Sequence, residues 1–393
     1  MLRFLTAGET HGPALTVVVD GLPAGLRVER VAIDRELKRR QGGYGRGGRM
    51  KIESDAVEVL GGVRHGSTLG GPVSLLIRNL DYANWQDVMS PDPQPASAKE
   101  RRRLERPRPG HADLAGALKY STDDLRDVLE RASARETAAR VAGGALAKTL
   151  LSAVSIQVWS HVLRIGSAAI DGARAVPWEQ LPAAESSSVR CVDPQASERM
   201  VAVIDDAKRR GDTVGGSFEV VARGVPPGLG SFAHWDRRLD GRIGQALMSI
   251  PAVKAVAIGS GFTSGETPGS AFHDEILHDG DGFVRPSNHA GGIEGGVSNG
   301  EELRATAVVK PIPTLLMPLR SVDIRTKEPK TASVERSDTC VVPAAGVVGE
   351  AMLAFVVADA LLEKFGGDSL PELLDHVAVT RARSRAFSAK REA

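Results

Sequence analysis

The sequence predicts a fold that mixes α-helices and β-strands, in one large or two ordinary domains, and three observations carry the mixed class. Short runs rich in Val, Ile and Leu alternate with longer stretches of helical periodicity along most of the chain. Hydrophobic residues make up 42% and charged residues 25% of the 393 positions, the mixture of a chain that folds around a core. Glycine is in excess, with 43 residues, while Phe, Trp and Tyr total 4%, so backbone does work that large side chains do elsewhere.

Strands are expected at 15–19, 57–63, 73–77, 218–222, 253–258 and 303–309, apolar runs flanked by Gly, Pro, Asn or Asp. Helices are expected at 34–40, 110–120, 133–151, 198–210, 236–249 and 345–365, where apolar residues recur at helical spacing. The apolar stretch 347–365 is broken by Glu350, Asp359 and Glu363, too polar and too short for a membrane span, and reads as a buried helix. Segments 68–78 and 213–223 share a Thr-x-Gly-Gly start, an apolar run and a closing Arg. A duplicated sheet element would produce that echo, and so would chance similarity between two β segments. Residues 90–109 hold Pro91, Pro93, Pro95, Pro107 and Pro109 around a basic run and are expected to be a mobile loop within a domain spanning 1–375. The remainder, 376–393, is expected to be a basic, flexible tail.

Charge excludes several functions. Fifty Lys and Arg balance 49 Asp and Glu, so a net charge of +1 provides no global field for nucleic acid or anionic lipid. The few aromatics offer no platform for stacking single strands. Any bound anion must be met locally. Cys191 and Cys340 have neither metal spacing nor a disulfide framework, and Arg3, Glu9 and His11 interrupt the start before a signal peptide could form. A reducing, cytoplasmic setting is expected.

Local chemistry concentrates in a few segments. In Arg131-Ala-Ser-Ala-Arg-Glu-Thr137, Ser133 precedes Glu136 by three residues, the spacing of a capping box opening a helix. Free N–H groups and the positive dipole end would seat an anion there, with Arg131 and Arg135 beside it; an ordinary capped surface helix has the same spacing. Arg39, Arg40, Arg46 and Arg49 form a second cationic cluster, separated by glycines that let the guanidiniums converge. An oxyanion-rich ligand would satisfy them, and so would water on a basic loop.

His11, in Gly8-Glu-Thr-His-Gly12, and His111, in Pro109-Gly-His-Ala-Asp113, are the candidates for proton transfer, because imidazole titrates near neutrality and glycine lets a ligand approach. A structural hydrogen bond is the alternative for each. Neither has the spacing of a zinc site, and no metal is expected. Residues 288–300 contain two Gly-Gly steps, followed by a strand ending in Lys310, Pro311, Ile312, Pro313 and Thr314. This is neither a dinucleotide fingerprint nor a P-loop. A flat cofactor lying on the backbone fits, with Lys310 and Thr314 near its phosphate; so does a long glycine-rich turn. Asp338, beside Arg336, is either a salt-bridged structural carboxylate or a proton acceptor.

With GETHG, RRQGGYGRGGRM, RHGSTLGG, RPGHAD, RASARETAAR, GGIEGGVSNG, KPIPT and RSDTC in this order, the sequence resembles the chorismate synthase family from residue 1 to about 375. The resemblance implies an α+β fold, a βαβα sandwich with internal pseudo-twofold duplication, assembled as a homotetramer. It implies an anti-1,4-elimination of phosphate from 5-enolpyruvylshikimate 3-phosphate to give chorismate, in aromatic amino acid biosynthesis, with reduced FMN and no net redox change. By that likeness His11, His111 and Asp338 are catalytic, and Arg40, Arg46, Arg49, Arg135 and Thr10 meet the substrate. Arg131, Ala132, Ser133, Ala252, Gly295, Lys310, Pro311, Ile312, Pro313, Thr314 and Arg336 match flavin positions, and Arg40 and Arg46 also match positions for NADPH as reductant. Thr10 stands where many relatives have Ser, and Pro251 where many have a polar residue. A phosphotransferase lacks support because no P-loop or kinase motif is present, and an RNA-binding module is opposed by the charge balance.

Overall fold

In the computed structural model the described residues are all but 48–53, 96, 98, 99, 101, 171–174, 281, 336 and 390–393. Among these residues nine strands form the two main sheets, eight of them longer than two residues. The first contains β1 (Arg3–Ala7), β2 (Ala14–Asp20), β3 (Val57–Gly61) and β4 (Val73–Arg78). The second contains β5 (Gln157–Ile165), β6 (Gly216–Arg223), β7 (Val253–Ile258) and β8 (Leu303–Val309), with the two-residue strand Ala168–Ala169 at its edge.

Both sheets are antiparallel and share one topology. The spatial order is β1-β2-β4-β3 in the first and β5-β6-β8-β7 in the second. A helix links the second strand to the third in each: α1 (Arg30–Gln41) and α6 (Leu239–Met248). A longer helix follows each fourth strand: α4 (Thr137–Ala153) and α7 (Val342–Phe365). The two halves therefore repeat one ββαββα plan. The echo between 68–78 and 213–223 does not mark it, because those segments contain β4 and β6, which occupy different positions in the repeat.

Glycine explains how the layers close. A Cβ built on Gly144 of α4 would lie 2.3 Å from the Ala351 Cβ of α7, and one on Gly349 of α7 would lie 2.5 Å from the Phe218 ring of β6. Only bare backbone lets helix meet helix, and helix meet sheet, at that distance. Helix α7 has 24 residues and a window of mean hydropathy 1.9, longer and more apolar than the sequence reading of 347–365 because the helix starts at Val342. By length and composition it could cross a membrane, yet 89% of that window is buried inside the fold.

Among the described residues the other α-helices of eight residues or more are α2 (Asp113–Tyr120), α3 (Leu125–Ala132), α5 (Pro194–Arg209) and α8 (Leu370–Ser388). Helix α8 corrects the expected flexible tail: it crosses residue 375 and starts with a full capping box between Ser369 and Glu372. The described end of the 90–109 segment is tied down by hydrogen bonds from Leu125 N to Leu104 O and from Ile324 N to Glu105 O.

Candidate active site

Loops and element ends of both halves converge on a cavity of about 430 Å³. His11 comes from the β1–β2 loop, Arg40 from the end of α1, His111 from the loop before α2, and Arg135 from the turn joining α3 to α4. Lys310, Ile312, Pro313 and Thr314 follow β8, while Asp338 precedes α7.

His11 is buried and held on several sides. Its Nδ1 lies 2.8 Å from Glu130 Oε1, its backbone N–H donates to Glu130 Oε2 at 2.8 Å, and its ring stacks on Trp85 at 3.7 Å. Asn79 donates to the carbonyls of Glu9 and Gly12, fixing both ends of the same loop. Burial pushes the Glu130 carboxyl up, but hydrogen bonds from His11 and the nearby Arg126 outweigh it and hold the group below the usual carboxylate range. Glu130 and Trp85 are residues that sequence reasoning missed.

Arg40 and Arg135 form a buried cationic wall. Arg40 Nε donates to Thr137 Oγ1 at 2.9 Å and Nη2 to Ala134 O at 3.2 Å. Its Nη1 lies 3.6 Å from Asp55 and has no hydrogen-bond partner among the described residues. Burial, opposed by Asp55 and reinforced by Arg135 and Arg46, pushes the Arg40 guanidinium down to about 9, which leaves it cationic at neutral pH. Arg135 is held by Asn79 and by Asp55, another residue not singled out from sequence. Thr10, which is buried, lines the same cavity.

The third wall carries His111. Its Nδ1 is 2.6 Å from Asp113 Oδ1, and Arg108 grips both oxygens of that carboxylate. Arg108 Nη1 also donates to Thr314 Oγ1 at 2.9 Å, and Lys310 Nζ donates to Gly110 O. The segment after β8 thus braces the His111 loop. Asp338 pairs with Arg46 Nη1 at 3.0 Å and accepts the Gly47 N–H at 2.6 Å.

Several expected residues lie elsewhere. The capping box does not form: Ser133 accepts from Arg135 N, while Glu136 accepts from Thr6 and Arg140, because a 3₁₀ turn, Ala134–Glu136, precedes α4. Arg131 donates to the carbonyls of Thr6 and Gly8, lining a neighbouring cleft. Gly295 is exposed in a separate hairpin, held by Arg238, and Pro311 is exposed and absent from the cavity lining. Arg49 and Arg336 lie outside the described residues. No group of three or more metal-ligating side chains occurs among the described residues.

Buried guanidiniums and two carboxylate-held imidazoles around a partly apolar cavity define an enzyme that binds a multiply anionic small molecule and moves protons on it. The chain belongs to the chorismate synthase family, whose sequence model matches residues 2–362. It is 57% identical over 382 residues to the chorismate synthase of Moorella thermoacetica, covering 97% of this chain and 98% of that one. It is 58% identical over 380 residues to that of Desulforudis audaxviator, covering 96% of each. A crystal structure of chorismate synthase superposes with a TM-score of 0.79 at 42% identity, covering 98% of this chain and 99% of the other. The activity is accordingly that of a carbon–oxygen lyase forming chorismate in the shikimate pathway.

Proposed function

We propose that this cavity carries out the anti-1,4-elimination of phosphate from 5-enolpyruvylshikimate 3-phosphate with reduced FMN bound beside the substrate. The observation that carries the reading is the convergence of Arg40, Arg46 and Arg135 with His11 and His111 on one cavity. The substrate brings one phosphate and two carboxylates, groups that fork-shaped guanidiniums pair with well. The buried Nη1 of Arg40 is the kind of unmet donor that an oxyanion satisfies. Arg46, Arg135, Thr10 and Arg49 complete the substrate set in this proposal.

The cavity also suits a flat cofactor, since Leu129, Ile250, Pro251, Ala252, Ile312 and Pro313 give it an apolar lining beside the cations. Ala132, Ser133, Lys310 and Thr314 border that lining and would hold the group. When bound, reduced FMN would supply electron density toward the allylic C–O bond and an acceptor for the ring hydrogen. His11 gives the proton at Nε2 to the departing phosphate, since Glu130 occupies Nδ1. His111, whose Nδ1 is taken by Asp113, holds a balancing proton at Nε2. Asp338, steadied by Arg46 and Gly47, accepts a proton from the cofactor side.

Arg40 is 4% exposed, so NADPH acting through Arg40 and Arg46 would enter the same cavity and compete with substrate. The proposal places the chain in the cytoplasm as a homotetramer. Two buried free thiols suit a reducing compartment, and exposed Leu316, Met317 and Leu319 offer apolar surface for contact between copies.

The test is an anaerobic assay with chemically reduced FMN and the enolpyruvyl substrate, following chorismate and phosphate together. Equal release of both is expected, with turnover lowered by about two to four powers of ten in His11→Ala and in His111→Ala. Full turnover in both variants would remove the proposed roles.

A further inference from the structure

We propose that Glu130 is a positioning residue for His11: its carboxylate pins the Nδ1 proton, so that Nε2 is the ring nitrogen that exchanges a proton with the substrate. This rests on the acid role given to His11 above, and deepens it.

The geometry leaves little freedom. Glu130 is 3% exposed on α3, one turn after Arg126, which donates to the same Oε1 that meets His11. Its other oxygen holds the His11 backbone N–H, and its own carbonyl accepts from Thr10 N at 2.8 Å. One residue therefore fixes two successive backbone N–H groups, of Thr10 and His11, and the ring itself. Trp85 fixes the ring plane, lying nearly parallel to it, with an interplanar angle of 21°. Asp81 holds Trp85 in turn through the indole N–H, and Arg102 and Arg126 lie over the indole. A buried carboxylate that accepts from an imidazole Nδ1–H selects that tautomer and stabilises the imidazolium, as in other acid–base pairs of this type.

Glu130→Gln separates positioning from packing, because the side chain keeps its shape. Glu130 accepts at both oxygens, whereas an amide accepts at one end only. The amide oxygen remains with the His11 backbone N–H, which the loop holds in place; Arg126 Nη1, the other donor at Oε1, turns toward Glu335, which already accepts from its Nη2, and the amide NH₂ then faces Nδ1. Nδ1 must become an acceptor, and the neutral ring moves its proton to Nε2.

Nitrogen NMR of the full chain carrying ¹⁵N-histidine reads that tautomer directly, with His11→Ala providing the assignment. Read on the neutral ring, above the pH at which the imidazolium gives up its Nε2 proton, the expected result is an Nδ1–H tautomer in the parent protein and an Nε2–H tautomer in Glu130→Gln. His111 should keep its tautomer, and kcat should fall by about tenfold or more with a smaller change in KM. An unchanged His11 tautomer in the variant overturns the proposal. Full turnover in His11→Ala would instead overturn the acid role while leaving the tautomer result intact, so the two failures are distinguishable.

Discussion

Asp55 accepts two hydrogen bonds from a single nitrogen of Arg135, Nη1, at 2.7 and 2.8 Å. The same carboxylate lies 3.6 Å from Arg40, so one anion serves two buried cations and the wall keeps a positive excess. A chain with a net charge of only +1 thereby presents a concentrated cationic surface to a small anionic ligand.

Removing the shared anion should make folding depend on the ligand. Asp55→Asn leaves Arg40 and Arg135 buried without their carboxylate, and loss of one partner of a buried pair costs about 3–5 kcal/mol. Thermal melting should drop in the variant, and added inorganic phosphate should recover more of the loss than it adds to the parent protein. Equal phosphate effects in both would show that the wall does not depend on Asp55.

Acid should weaken the protein through its histidine-bound carboxylates. Burial pushes Asp113 up, but its bonds to His111 and Arg108 outweigh that and hold it well below the usual range; Glu130 behaves alike beside His11. A carboxyl with a lower pKa folded than unfolded adds stability above its unfolded value, about 4, and loses it as pH falls through the folded one. Asp113→Asn should melt lower at neutral pH and show a shallower decline in acid. Parallel melting curves against pH would refute the assignment.

Gly144 should tolerate no side chain. The Cβ of Gly144→Ala would fall 2.3 Å from that of Ala351, so α4 and α7 must separate, and overpacking of this kind costs about 1–3 kcal/mol. Denaturant unfolding should show the loss. Ala351→Gly in the same chain should restore part of it, and failure of that rescue would place the strain elsewhere.

What the sequence made legible was local. All six expected strands and six expected helices are present, because an apolar period is written within a few consecutive residues. Strands β1 and β5 and helix α3 were not anticipated: α3 separates Leu125, Val128, Leu129 and Ala132 from Arg126, Asp127, Glu130 and Arg131 on opposite faces, but over eight residues that is only two turns of periodicity. Helix α8 was hidden by its basic composition. In the site, His11, His111 and the arginines stood out by glycine flanks and charge. Their carboxylate partners mostly did not, since Glu130 lies 119 positions from His11 and Asp55 lies 80 from Arg135, and only folding brings them together.

Ala252 should resist branching. It lines the cavity with a φ of +71°, a left-handed conformation that costs an L-residue about 1–2 kcal/mol, and its carbonyl accepts from Lys310 N at 2.9 Å. That bond couples the strained turn to the segment bracing His111, so relaxing the turn would disturb both. In Ala252→Val a β-branched side chain makes the same backbone still less favourable and adds bulk beside the apolar lining. Ala252→Gly removes the strain and should melt within about 1 kcal/mol of the parent, because the greater freedom of unfolded glycine offsets the relief. Ala252→Val should melt lower and bind FMN more weakly in a fluorescence titration. If valine matched alanine in both measurements, the left-handed turn would have no part in shaping the cavity.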